Sequence, residues 1–160
     1  AGIFMYGGRL APDLPAPEPV VHVRARITRI VDVPLGATCG YGATHSAAGP
    51  ERWATLAIGY GDGFPRALGN RAHVLIAGQR APIIGRISMD VTVANISGLA
   101  GVTPGMVATL IGTDGDAHIP LDEVAAHAGT IPYEVLTRLS PRLPRIWLTS
   151  ENVAASGAKT

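Results

Sequence analysis

Glycine and proline interrupt this chain so often that no long helix can run through most of it. Its 160 residues include 20 glycines and 13 prolines. Glycine adds backbone freedom and proline removes an amide donor, so each tends to end a regular element. The intervening sequence is apolar, with hydrophobic residues at 47% overall, but it comes in short runs. Short apolar runs bounded by turn residues read as strands. Many such strands in one chain argue for a small closed sheet, because closure removes exposed edges. The length suits a single domain with a real core. The expected fold class is therefore mainly β, a small closed barrel with one short helix.

The strand at residues 20–33 is the clearest. Val21, Val23, Ala25 and Ile27 alternate with His22, Arg24, Arg26 and Thr28, the period of a half-buried strand with a solvated face. Further strands are expected at residues 53–60, 72–77, 81–87, 91–96 and 106–111. Gly78-Gln79-Arg80 is the expected hairpin turn between the second and third of these. Thr113 to Asp116 reads as a turn, too short and wrongly spaced for a calcium loop. The one expected helix is Leu121 to Ala128, with Pro120 at its start, Asp122 and Glu123 at its positive end and Gly129 as its cap. A last strand is expected at residues 145–148. Ala1 to Gly8 reads as a strand end, residues 9–19 as a linker made extended by Pro12, Pro15, Pro17 and Pro19, and residues 150–160 as a flexible tail.

Several function classes find no footing. A formal charge of +1, with Arg24, Arg26 and Arg29 the one basic cluster, offers no footprint for nucleic acid. No apolar run is long enough for a membrane helix, and the start lacks the zones of a signal peptide. Cys39 is a single cysteine and reads as a small buried hydrophobe. These features make a cytoplasmic location the default. His22, His45, His73, His118 and His127 show no ligand-like clustering, so no metal site is expected. No Gly-x-Ser-x-Gly elbow marks a hydrolase.

The stretch from Gly40 to Asp90 holds the candidate chemistry. It contains GYGATH, IGYGDGFPR and GRISMD in order, and TIPYEVLTRLSPRLPR follows at residues 130–145. Together with the opening AGIFMYGG, these motifs resemble the carboxy-terminal domain of the alanine racemases, which are pyridoxal-phosphate enzymes. The resemblance covers Ala1 to Trp147. It implies a domain built round a six-stranded Greek-key barrel. Residues 1–8 would then be the end of a (β/α)8 barrel domain, residues 9–19 the linker and residues 20–149 the β domain. Serine or broad-specificity racemases share these motifs, a barrel-plus-β-domain decarboxylase is more distant kin, and a non-catalytic dimerisation module is the alternative for the 160 residues alone.

Racemisation removes a proton from one face of Cα and returns one to the other, so two bases on opposite faces are the economical arrangement. The resemblance implies that a lysine serves one face and Tyr41 the other. The only lysine is Lys159, in the tail, whereas pyridoxal phosphate needs a desolvated amine to hold it as a Schiff base. That amine is therefore expected on the barrel domain. A phenol is a poor base at its ordinary pKa of about 10, and the cations that would activate it are also expected there. The resemblance further implies a head-to-tail homodimer in which Tyr41 reaches the barrel of a second subunit. Tyr60, Arg66 and Arg86 would line the substrate entrance. Met89 would offer its backbone N–H to the carboxylate of the amino-acid substrate, with Asp90 beside it. Tyr133 would donate to the cofactor phosphate, and Gly2 and Ile3 would contact that phosphate through their backbone. The chain departs from the commoner GYADG in having Gly61, a change expected to loosen that turn.

Overall fold

A computed structural model describes residues 2–9, 11, 13–15 and 17–148. Nine strands and two α-helices are present among them: β1 (Val23–Val33), β2 (Thr38–Cys39), β3 (His45–Ser46), β4 (Glu51–Leu56), β5 (His73–Ile76), β6 (Gln79–Ile84), β7 (Thr92–Asn95), β8 (Val107–Asp114), β9 (Ala117–Ile119), α1 (Leu121–Ala128) and α2 (Pro132–Arg138). Six strands lie in the order β1-β4-β7-β6-β5-β8, and a further pairing of β1 with β8 closes them into an antiparallel barrel. β5, β6 and β7 form a meander, with β4 returning beside β7 and β8 beside β5. Both returns are Greek keys.

Closure depends on the length of β1. Residues 23–26 pair with β8, residues 27–33 pair with β4, and the register shifts between Ile27 and Arg29. This irregularity lets one strand bend from one neighbour to the other. Val23, Ala25 and Ile27 point inward as their alternation predicts, and Arg24, Arg26 and Thr28 are exposed. The interior is filled by branched aliphatics from five of the six barrel strands, among them Ile27, Leu56, Leu75, Ile83 and Leu110, with Ala94 from β7 and Phe64 and Leu68 from the connecting loop. A smaller cluster of Cys39, Ala47, Trp53 and Ile84 sits under the β2–β3 hairpin. Burial pushes the Cys39 thiol pKa up.

The structure corrects several expectations. The β5–β6 turn is Ala77-Gly78, because Ile76 pairs with Gln79. Both turn residues have positive φ, 50° and 72°, as a two-residue turn matching strand twist requires. The Gly78 N–H donates to the Asp114 carboxylate at 2.9 Å, and Gln79 and Arg80 belong to the strand. Pro120 is the N-cap of α1 rather than its first residue. A second helix, α2, follows directly. Its first residue is Pro132 and Val135 is its only buried side chain, too little apolar periodicity to announce a helix. Residues 145–148 form no strand, and Ile146 and Trp147 are largely exposed, because barrel closure leaves no free edge between β1 and β8 to receive them. Residues 2–6 form a 3-10 turn rather than a strand, pinned by the buried Ile3. The tail expected at residues 150–160, with Lys159, lies outside the described residues. Among the described residues no helix is long and apolar enough to cross a membrane.

Candidate active site

Tyr41 sits at the tip of the β2–β3 hairpin, between glycines that both have left-handed backbones, Gly40 at φ 70° and Gly42 at φ 75°. A Cβ at Gly40 would lie 3.2 Å from the Arg86 carbonyl, and one at Gly42 would lie 3.0 Å from the Arg86 guanidinium. The two glycines therefore let the hairpin lie directly on Arg86. Tyr41 itself is 74% exposed, and its hydroxyl has no partner among the described residues. With Gly40, Arg86, Ser88, Val91 and Val93 it lines an open recess of about 400 Å³.

The root of this hairpin is tied to β4. Glu51 accepts from Trp53 Nε1 at 2.6 Å, from Asn95 Nδ2 at 2.9 Å and from the Ala48 amide at 3.2 Å, and pairs with His45 at 3.1 Å. His45 also meets the Trp53 ring edge-on at 5.6 Å. Burial works to raise the Glu51 pKa, but the hydrogen bonds from Trp53, His45 and Ala48 outweigh it and hold the carboxyl below its ordinary range.

Tyr60 and Met89 come together through backbone. Tyr60 N–H donates to the Ser88 carbonyl at 3.0 Å and Gly61 N–H to the Met89 carbonyl at 2.8 Å. Met89 N–H has no partner among the described residues. Ser88 closes its own turn, its amide donating to the Val91 carbonyl and its Oγ accepting from the Val91 amide. Arg142 then bridges the two segments from outside, reaching Asp90 at 2.8 Å and Asp62 at 3.3 Å. Gly61 has a use other than loosening: a Cβ there would lie 2.9 Å from the Arg142 guanidinium and 3.0 Å from Met89 Cγ. The glycine lets these groups approach.

Tyr133 and the chain start belong to a different neighbourhood. Tyr133 is half-exposed on α2, and the preceding Pro132 lies close to Gly8, where a Cβ would sit 3.4 Å from the proline ring and inside 3.0 Å of the Ile3 side chain. Gly2 has open space around it. Arg66 is exposed in the 3-10 turn Arg66–Leu68. Sequence reasoning missed Asn70 and Arg142, whose partners are distant in the chain, and Glu51, whose partners other than Asn95 are close to it in sequence. No group of three or more His, Cys, Asp or Glu suited to a metal occurs among the described residues.

This arrangement of a closed Greek-key barrel with an outward tyrosine has clear relatives. The family described as "Alanine racemase, C-terminal domain" matches residues 20–147. The chain belongs to that family. It is 45% identical over 150 residues to an alanine racemase of Methylobacterium sp. (strain 4-46), covering 92% of this chain and 40% of the relative. The solved alanine racemase of Bacillus anthracis with bound L-Ala-P superposes with a TM-score of 0.85 at 38% identity, over 93% of this chain and 39% of that one. The Bartonella henselae alanine racemase, solved with covalently bound pyridoxal phosphate, gives 0.83 at 35% identity, over 92% and 40%. This alanine racemase domain thus spans about two fifths of the length of the relatives it matches.

Proposed function

We propose that the full-length protein is a pyridoxal-phosphate-dependent racemase acting on alanine, and that this domain supplies Tyr41 as one of its two bases. The carrying observation is the exposure of Tyr41 at 74%, on a hairpin whose backbone is fixed against Arg86. A phenol so placed is held by its own domain but directed away from it. That suits delivery to a barrel domain of a second subunit in a head-to-tail homodimer. A cytoplasmic location is part of the same reading.

The remaining residues take roles that their surroundings support. Met89 N–H is open while its carbonyl is held by Gly61, so the amide can bind the substrate carboxylate. Asp90, fixed by Arg142, and Tyr60, Arg66 and Arg86, all exposed, line the approach. The Tyr133 hydroxyl and the backbone of Gly2 and Ile3 are proposed to hold the cofactor phosphate. The exposure of Tyr133 and the open space at Gly2 suit an anion, and the closeness of both Ile3 and Pro132 to Gly8 keeps these residues in one region. The described residues contain no lysine, so the amine that anchors the cofactor is assigned to the barrel domain, to which residues 1–8 would belong. When bound, the cofactor withdraws electrons from the substrate Cα and so acidifies its proton. Tyr41 then takes or returns that proton on one face, while the barrel lysine does so on the other.

Exchange of the Cα hydrogen with solvent, followed separately for each enantiomer in the full-length protein, tests this. Tyr41→Phe should lower racemisation by about 10²- to 10⁴-fold. Exchange should survive for the enantiomer served by lysine and disappear for the other. Equal loss for both enantiomers would remove Tyr41 from its role. The 160-residue chain with added cofactor should not racemise alanine.

A further inference from the structure

The hairpin carrying Tyr41 has only two paired positions, Thr38 with Ser46 and Cys39 with His45. A two-stranded hairpin this short has no stability of its own. Its tip is irregular, with left-handed backbone at Gly40, Gly42 and Ala43. The ties from Glu51 hold the root, at His45 and Ala48. Beyond its packing on Arg86, the tip is hydrogen-bonded to another loop through a single side chain, Asn70.

Asn70 Nδ2 donates to the Thr44 carbonyl at 3.1 Å and lies 3.2 Å from Thr44 Oγ1. Its Oδ1 accepts from the Gly85 amide at 2.6 Å. Asn70 thus clamps the hairpin tip to the segment that continues into Arg86, on which Gly40 and Gly42 rest. Asn70 itself has φ 59°, a left-handed conformation that asparagine tolerates better than most residues. Just before it, Gly69 approaches within contact of Gly85, where a Cβ would lie 2.5 Å from the carbonyl oxygen. Three loops therefore meet backbone to backbone, and one amide side chain spans the junction using donor and acceptor together.

We propose that Asn70 is a positioning residue for Tyr41, locking the β2–β3 hairpin in the orientation that presents the phenol. The assignment rests on the reading of Tyr41 as a base. Asn70→Gly keeps the left-handed backbone and removes all three contacts. Asn70→Asp keeps the acceptor for Gly85 but faces the Thr44 carbonyl with a carboxylate oxygen.

Two readouts test the proposal. In the 160-residue chain, Asn70→Gly should speed amide hydrogen exchange at residues 42–45 by about tenfold and leave Leu75 and Ile76 unchanged. In the full-length protein, Asn70→Gly and Asn70→Asp should slow Cα-hydrogen exchange of the Tyr41-served enantiomer by about tenfold at unchanged KM. Exchange of the other enantiomer should be spared, and Asn70→Gly should add no further loss to Tyr41→Phe. Unchanged amide exchange at residues 42–45 would overturn the proposal. So would equal loss for both enantiomers while Tyr41→Phe remains one-sided. A freed hairpin together with a symmetric Tyr41→Phe would sustain the anchor and sink the base assignment alone.

Discussion

Gly59→Ala is the substitution whose effect can be worked most directly from the structure. Gly59 has φ −148° and ψ −165°, extended backbone open to any residue, so conformational strain plays no part. The cost is space. A Cβ at this position would fall inside 3.0 Å of the Ser88 and Met89 carbonyl oxygens. Backbone atoms cannot swing aside as a side-chain end can, so the two segments must separate. Separation breaks the bond from Tyr60 N–H to Ser88 and the bond from Gly61 N–H to Met89. At about 1 kcal/mol net for each, the loss is about 2 kcal/mol. For a domain of this length that lowers Tm by about 4–8 °C. Thermal unfolding of the 160-residue chain, followed by circular dichroism, gives the shift, and amide exchange at Tyr60 and Gly61 locates it. In the full-length protein the same change should raise KM, because the Met89 amide moves. A Tm within about 1 °C of the parent with both amides still protected would refute the claim that this close approach shapes the site.

Other outcomes follow from the charged groups. Arg142→Ala removes the bridge between Asp62 and Asp90; it should leave Tm almost unmoved but raise KM in the full-length protein, an effect that added salt mimics in the parent. Acid should destabilise the chain in two stages. Burial, with Arg80 nearby, lowers the His73 pKa below its ordinary value, so stability falls as pH drops below the unfolded histidine value of about 6.5. Glu123, held down first by its hydrogen bonds from Arg80, and Glu51 are both depressed carboxylates. Their contribution is present above the unfolded value of about 4.3 and is lost as pH falls through the folded pKa. Glu51→Gln and Glu123→Gln should each flatten that lower limb in a pH series of unfolding curves, and an unaltered limb would contradict the assignment.

How much of this was legible in the sequence depends on how local each feature is. The barrel strands announced themselves because alternation in β1 and short apolar runs elsewhere are local patterns. The motifs around Tyr41, Tyr60 and Met89 were equally local. The turn at Ala77-Gly78 was misplaced because register, rather than composition, decides which residues lie in a hairpin loop. Helix α2 was missed because seven residues with one buried side chain carry almost no period. The strand expected at residues 145–148 failed for a tertiary reason, since the pairing of β1 with β8 closes the barrel and leaves no place in it for a further strand. Asn70 and Arg142 were invisible for the same reason, since each spans segments distant in the chain; Glu51 was missed although three of its four partners, His45, Ala48 and Trp53, lie within six residues of it. Only the Gly-Asn pair at residues 69–70 hinted at a turn, and nothing in it pointed to Thr44.

Mixed dimers test the central claim most directly. Full-length Tyr41→Phe is combined with a full-length variant lacking the barrel lysine, each inactive alone. If the tyrosine crosses between subunits, every mixed dimer regains one intact site, and random reassortment restores about a quarter of the parental activity. If Tyr41 serves its own subunit, the mixture stays as inactive as its parts.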